Sequence, residues 1–162
     1  MLDQLIKLVE EHAGSAIVNN SAIPNQHKNA AIQEVAQQIF GGLQSHATSG
    51  NLSQLTGLFQ VGTSVASMAS NPVVQQLISS VAGSVASKFG MSPASAQSMA
   101  SNLLPTVMNQ LVNKTNNPND SSFDLNNMLQ SFTGGGDVSS LLNQFTGGNA
   151  GGIGGMLGKL FG

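Results

Sequence analysis

The apolar positions of this chain recur at helical spacing from one end to the other. Leu2, Leu5, Ile6, Val9 and Ala13 share one face at i, i+3, i+4 and i+7, which predicts a first helix over residues 2–13. Asp3 lies in its first turn, where the helix dipole favours an anion, and Gly14 breaks the pattern. Residues 15–23 read as a connection with one helical turn around Ile17 and Val18. A longer helix opens at Pro24, with the stripe Ile32, Val35, Ala36, Ile39, Phe40 and Leu43. The pair Gly41-Gly42 is expected to loosen or bend it, and Thr48-Ser49-Gly50 closes this section.

Leu52, Leu55, Leu58 and Phe59 predict a short helix, followed by small and polar residues from 60 to 70. Asn71-Pro72 places a capping side chain before a proline at the first helical position. The helix it opens presents Val74, Leu77, Ile78, Val81, Val85 and Phe89 to a core and ends at Gly90. Its other face carries Ser79, Gly83 and Ser87, small enough for another helix to approach closely. Ser92-Pro93 opens the next helix, with Ala96, Met99, Ala100, Leu103, Leu104, Val107, Met108 and Leu111 on one side. Pro105 falls inside that pattern and is expected to kink it by freeing the Ser101 carbonyl. Residues 116–120, Asn-Asn-Pro-Asn-Asp, form a linker.

The last section repeats itself. The segment from Asp124 through Met128, Leu129 and Phe132 to Thr-Gly-Gly aligns without gaps on the segment from Asp137 through Leu141, Leu142 and Phe145 to Thr-Gly-Gly. A degraded third copy carries Met156, Leu157, Leu160 and Phe161, and residues 51–59 are a looser relative. An Asp or Asn starts each unit, apolar residues follow at helical spacing, and glycines end the C-terminal ones. A helix of about eight residues does not hold in water alone, so each unit must dock its apolar face on something. The chain's own core and a neighbouring copy are both open to it. A neighbour is preferred, with Phe132 and Phe145 as anchors and Met128, Leu129, Leu141, Leu142, Met156, Leu157, Leu160 and Phe161 as the self-association surface.

The pattern therefore predicts an all-α fold in three parts. Residues 1–50 are an N-terminal helical segment, 51–117 a compact helical core, and 118–162 a Gly-rich extension of short amphipathic helices. The span from Gly90-Met-Ser-Pro93 through Leu103-Leu104-Pro105 to Leu111, with a closing Gly-rich segment ending at Phe161-Gly162, resembles the YidB-like family of bacterial proteins. The resemblance is best over residues 50–117. It implies a compact helical bundle of bacterial origin with no assigned activity, and it supplies no catalytic residue. The duplicated Phe-Thr-Gly-Gly units read as a departure from the family pattern.

Charge changes the picture next. Only 7% of the 162 residues are charged, against roughly 25% in an ordinary domain. The net charge is −2, and no formal charge lies between Glu34 and Lys88. A surface of Ser, Asn, Gln, Thr and Gly is easily desolvated and lacks the like-charge repulsion that keeps copies apart. The expectation is a non-catalytic structural protein that self-assembles into a filament, tube or shell, its partner being itself. The alternatives are a helical binding module for another protein and, given the uncharged stretch, a membrane-active helical protein.

Candidate chemistry is thin. Five scattered lysines without Arg, Tyr or Trp disfavour nucleic acid. Absence of Cys excludes thiolate sites and disulfides. His12, His27 and His46 fall on different elements without ligand spacing, so no metal is expected. Glu10 and Glu11 point about 100° apart on a helix and form a solvated face with Lys7 in pairing range, not a catalytic pair. No nucleophile elbow and no phosphate loop occurs, so no cofactor is expected. The methionines read as gap-filling core. The N-terminus lacks a basic, continuously apolar leader and no run of about 18 apolar residues occurs, which points to a cytoplasmic protein with a membrane disfavoured.

Overall fold

The computed structural model describes residues 1–60 and 64–133. Among these, every regular element is helical and there is no strand. Helix α1 spans Leu2–His12, α2 Lys28–Thr48, α3 Leu52–Leu58, α4 Val65–Ser70, α5 Pro72–Phe89, α6 Pro93–Thr115 and α7 Leu125–Thr133. Single helical turns lie at Gly14–Val18 (π), Asn25–His27 and Ser121–Phe123 (both 3-10).

The starts and stops follow the capping chemistry read from the sequence. Asn71 Oδ1 accepts from the Val73 N–H at 2.9 Å ahead of Pro72, and Ser92 Oγ accepts from the Ser95 N–H at 3.2 Å ahead of Pro93. Gly90 ends α5 with φ +66°, a left-handed conformation that a side chain would strain. Asp120 caps the turn before α7 through Ser122 N–H, and Asp124 Oδ1 accepts from Asn127 N–H at 3.2 Å. Lys28 also reaches the Val18 carbonyl, closing the residue 15–23 connection over buried Ile17.

One hydrophobic core runs through the bundle. Leu5, Leu8 and Val9 of α1, Val35, Ile39 and Leu43 of α2, Leu77, Val81 and Val85 of α5, and Leu103, Leu104 and Val107 of α6 all belong to it. Phe123, Met128 and Phe132 join the same cluster, so residues from all three sections of the sequence share it. Helix α5 packs mainly on α6 and α2, α1 on α2 and α6, α4 on α6, and α7 on α2. Every buried side chain of Leu, Ile, Val, Phe or Met size contributes about 1.5–3 kcal/mol through removal from water. Met68, Met91, Met99, Met108 and Met128 fill core positions.

The Gly41-Gly42 pair does not interrupt α2, which runs unbroken from Lys28 to Thr48. A Cβ built on Gly42 would collide with Leu77 Cδ2, so this glycine makes room for that α5 side chain against α2, whereas Gly41 faces open space. The ion pairs among the described residues are Lys88–Glu34 and Lys114–Asp120, so Lys7 does not pair with Glu10 or Glu11 as their spacing allowed. Pro105 lies buried inside α6, which runs through it from Pro93 to Thr115. No described helix is long and apolar enough to cross a membrane.

Candidate functional site

The most elaborate polar arrangement in the described residues lies between α2 and α5. Glu34 and Gln38 stand four apart on α2, and Ser84 and Lys88 four apart on α5, so each pair occupies one helix face. Packing brings the two faces together. Glu34 is only 5% exposed, and its Oε1 accepts from Gln38 Nε2 at 2.9 Å and from the Ser84 hydroxyl. Its Oε2 accepts from the Lys88 ammonium, whose side chain is 56% exposed. Burial pushes the Glu34 carboxyl upward, but hydrogen bonds from Lys88, Ser84 and Gln38, with the ammonium charge, outweigh it and hold the group below the usual carboxylate range. Both carboxylate oxygens are engaged by these donors, which makes the cluster an interhelical lock.

Sequence reasoning missed this cluster. The signal was present in a weak form, since Glu34 and Lys88 are the two charges that bound the uncharged run. They close on each other across 54 residues, which only the packing of α2 on α5 brings about.

The second arrangement is the seat of α7. Met128, Leu129 and Phe132 are buried at 1%, 7% and 2% exposure, and the Phe132 ring lies 5.3 Å from that of Phe40 on α2. Thr115 of α6 places its hydroxyl 3.5 Å from Met128 Sδ. The first repeat unit thus docks on α2 of its own chain in this structure, where the sequence preferred a neighbouring copy. Phe145, Leu141, Leu142, Met156, Leu157, Leu160 and Phe161, the remaining residues of the expected self-association surface, lie outside the described residues.

Other features are modest. A shallow depression of about 350 Å³ lies between the Gly14–Val18 turn and the start of α6, lined by Ser15, Asn20, Ser95, Ser98 and Asn102 among others, with no charged group. His27 is exposed, 6.0 Å from the Phe89 ring. The Nδ1 of His46 is buried without a hydrogen-bond partner among the described residues. No three His, Asp or Glu side chains of the described residues converge as a metal-holding group. Asp120 is held below the ordinary range by hydrogen bonds from the Ser122 hydroxyl and backbone N–H, helped by Lys114. The α5 face of Ser79, Gly83 and Ser87 is exposed, and a Cβ on Gly83 would meet nothing within 4 Å.

These observations define a small all-α bundle whose best-organised polar group joins two of its own helices. The model of a bacterial protein family of unknown function, DUF937, matches residues 71–162, more than half of the chain, and the protein belongs to that family. This is the YidB-like family that the Leu-Pro helix resembled. The matched span begins at Asn71 and runs through the C-terminal repeats, so those units lie inside the family's span and are not an addition to it. No curated protein and no solved structure matches the chain.

Proposed function

We propose that this protein is a non-catalytic structural component that assembles with copies of itself, acting in the bacterial cytoplasm. One observation carries the reading: the exposed surface contributed by residues 35–87 holds no formal charge, while the two charges that bracket the stretch are turned toward each other. Exposed positions of α5 ahead of Lys88 include Gln75, Gln76, Ser79, Ser80, Gly83 and Ser87, and those of α4 include Ser64 at its cap, Val65, Ala66 and Ser67. Amides and hydroxyls lose water at lower cost than ions and can hydrogen-bond to an identical surface. Like-charge repulsion, the usual barrier between copies, is nearly absent. The open Ser79/Gly83/Ser87 stripe would also let a helix from another copy come close.

The test is sedimentation velocity of the full chain over a wide concentration range, with negative-stain images of the same samples. The weight-average mass is expected to rise with concentration, and the images to show a regular filament, tube or shell. A mass that stays at the monomer value of 16.6 kDa throughout overturns the reading.

A further inference from the structure

We infer that the Glu34–Lys88 lock is a register device: it selects one alignment of α5 along α2 from several that the apolar seam accepts, and it acts on the uniqueness of the packing more than on its stability. The inference does not depend on self-assembly. It rests on the regular spacing of the aliphatic side chains and on the position of the polar ones among them.

The apolar seam repeats too evenly to choose an alignment alone. Helix α2 buries Ile32, Val35, Ile39 and Leu43, and α5 buries Val74, Leu77, Val81 and Val85, one aliphatic side chain per turn on each. The helices run antiparallel, since Glu34 meets Ser84 and Lys88 while Gly42 meets Leu77. Sliding α5 by one turn, about 5.4 Å, sets aliphatic against aliphatic again. Helix α6 follows α5, because only Gly90, Met91 and Ser92 join them. The slide brings Val74 or Val81, one turn from Leu77, toward Gly42, and either is smaller than the leucine that the glycine already admits. Cores tolerate such exchanges of similar aliphatic groups, losing uniqueness before they lose stability.

The polar cluster has no such tolerance. Among the described residues, every side-chain hydrogen bond between α2 and α5 belongs to it: Ser84 and Lys88 donate to Glu34, and Gln38 donates to Ser84 at 3.3 Å. A slide in one direction sets Ser80 and Ser84 opposite Glu34, which leaves a carboxylate of 5% exposure without a cation. A slide in the other direction forces the long Lys88 side chain into the half-buried place of Ser84, and the place of Lys88 then falls beyond the end of α5 at Gly90. A buried ion pair adds little net stability over apolar residues of similar volume, whereas a buried carboxylate stripped of its cation is costly. Misalignment is therefore penalised more than alignment is rewarded, which is how a buried polar group sets helix register.

The test measures the alignment directly. The chain has no Cys, so Gln33→Cys on α2 and Gln76→Cys on α5, both exposed and offset along the helix axes, take nitroxide labels in the full chain. Pulsed electron resonance then reads their separation, with labelled chains diluted in unlabelled ones so that only distances within one chain count. The parent is expected to give one distance. Glu34→Leu with Lys88→Met, checked for helicity by circular dichroism, is expected to add a second distance several ångströms away. Charge reversal, Glu34→Lys with Lys88→Glu, is expected to restore a single distance. One parental distance in the apolar variant overturns the inference, because the aliphatic seam then fixes the alignment unaided. Two distances in the charge-reversed chain overturn it as well, because any disturbance of the cluster would then loosen the seam. Should the apolar variant fail to fold, Glu34→Gln with Lys88→Met removes both charges at nearly constant volume and is read in the same way: two distances support the inference and one overturns it.

Discussion

At Gly42 a hydrogen atom stands where any other residue would carry a Cβ, and the Leu77 methyl fills that space. Gly41, its neighbour, has nothing within 4 Å of its missing Cβ. The two Gly→Ala substitutions are thus expected to differ in sign. Gly41→Ala stabilises by up to about 1 kcal/mol, the helix-propensity gain of Ala over Gly. Gly42→Ala forces Leu77, 1% exposed, off its position and loses about 1–3 kcal/mol from overpacking, offset in part by the same propensity gain. Thermal melts of the two variants side by side check this. The Glu34 lock makes a second residue-level prediction. Replacing Lys88 by Met leaves a buried carboxylate short of its charged donor and costs about 1.5–3 kcal/mol. Glu34→Gln leaves a half-exposed ammonium that water can solvate, so it costs less. Because the Glu34 carboxyl is held below its ordinary range, its contribution is complete above the unfolded value of an ordinary glutamate and is lost as pH falls through the lower folded value. Denaturant melts are expected to show stability dropping in that acidic window, with a shallower drop in Glu34→Gln.

At the scale of elements, the helix starts carry the design. Asn71 and Ser92 each satisfy an otherwise orphaned N–H, and each is followed by proline at the first position. Asn71→Ala and Ser92→Ala are each expected to cost about 1 kcal/mol, measurable by chemical denaturation. Their effects should add, because the two caps open different helices and share no hydrogen bond. These boundaries were legible in the sequence because a cap is local: the side chain and the N–H it satisfies lie within three residues of each other. The stripes of α5 and α6 were legible for a related reason, since burial of Leu77, Val81, Leu103 and Val107 follows from periodicity on a single helix. The helix of residues 65–70 was less so. Its small residues bury little beyond Met68, and its order comes from packing on α6.

At the scale of the whole molecule, the sparse charge governs how the surface meets salt. An assembly held by amides, hydroxyls and apolar contacts has few ionic attractions to screen. Its mass distribution in sedimentation is expected to stay nearly unchanged between low and high salt. Dissolution by modest salt alone would mean that the contacts between copies are ionic. The intramolecular ion pair behaves differently from a surface pair, because Glu34 is buried against α5 and its screening by salt is weak.

What the sequence determined by itself was the helical class, the order of helices, their caps and the faces they bury, all consequences of spacing within one element. The Leu-Pro helix pointed to the family in the same way. The tertiary structure decided which faces meet. It brought Glu34 to Lys88 across 54 residues, set Gly42 against Leu77 of α5, and seated Phe132 on Phe40 of the same chain. None of these is encoded in the spacing of either partner alone. Each depends on the register at which two helices distant in sequence come together.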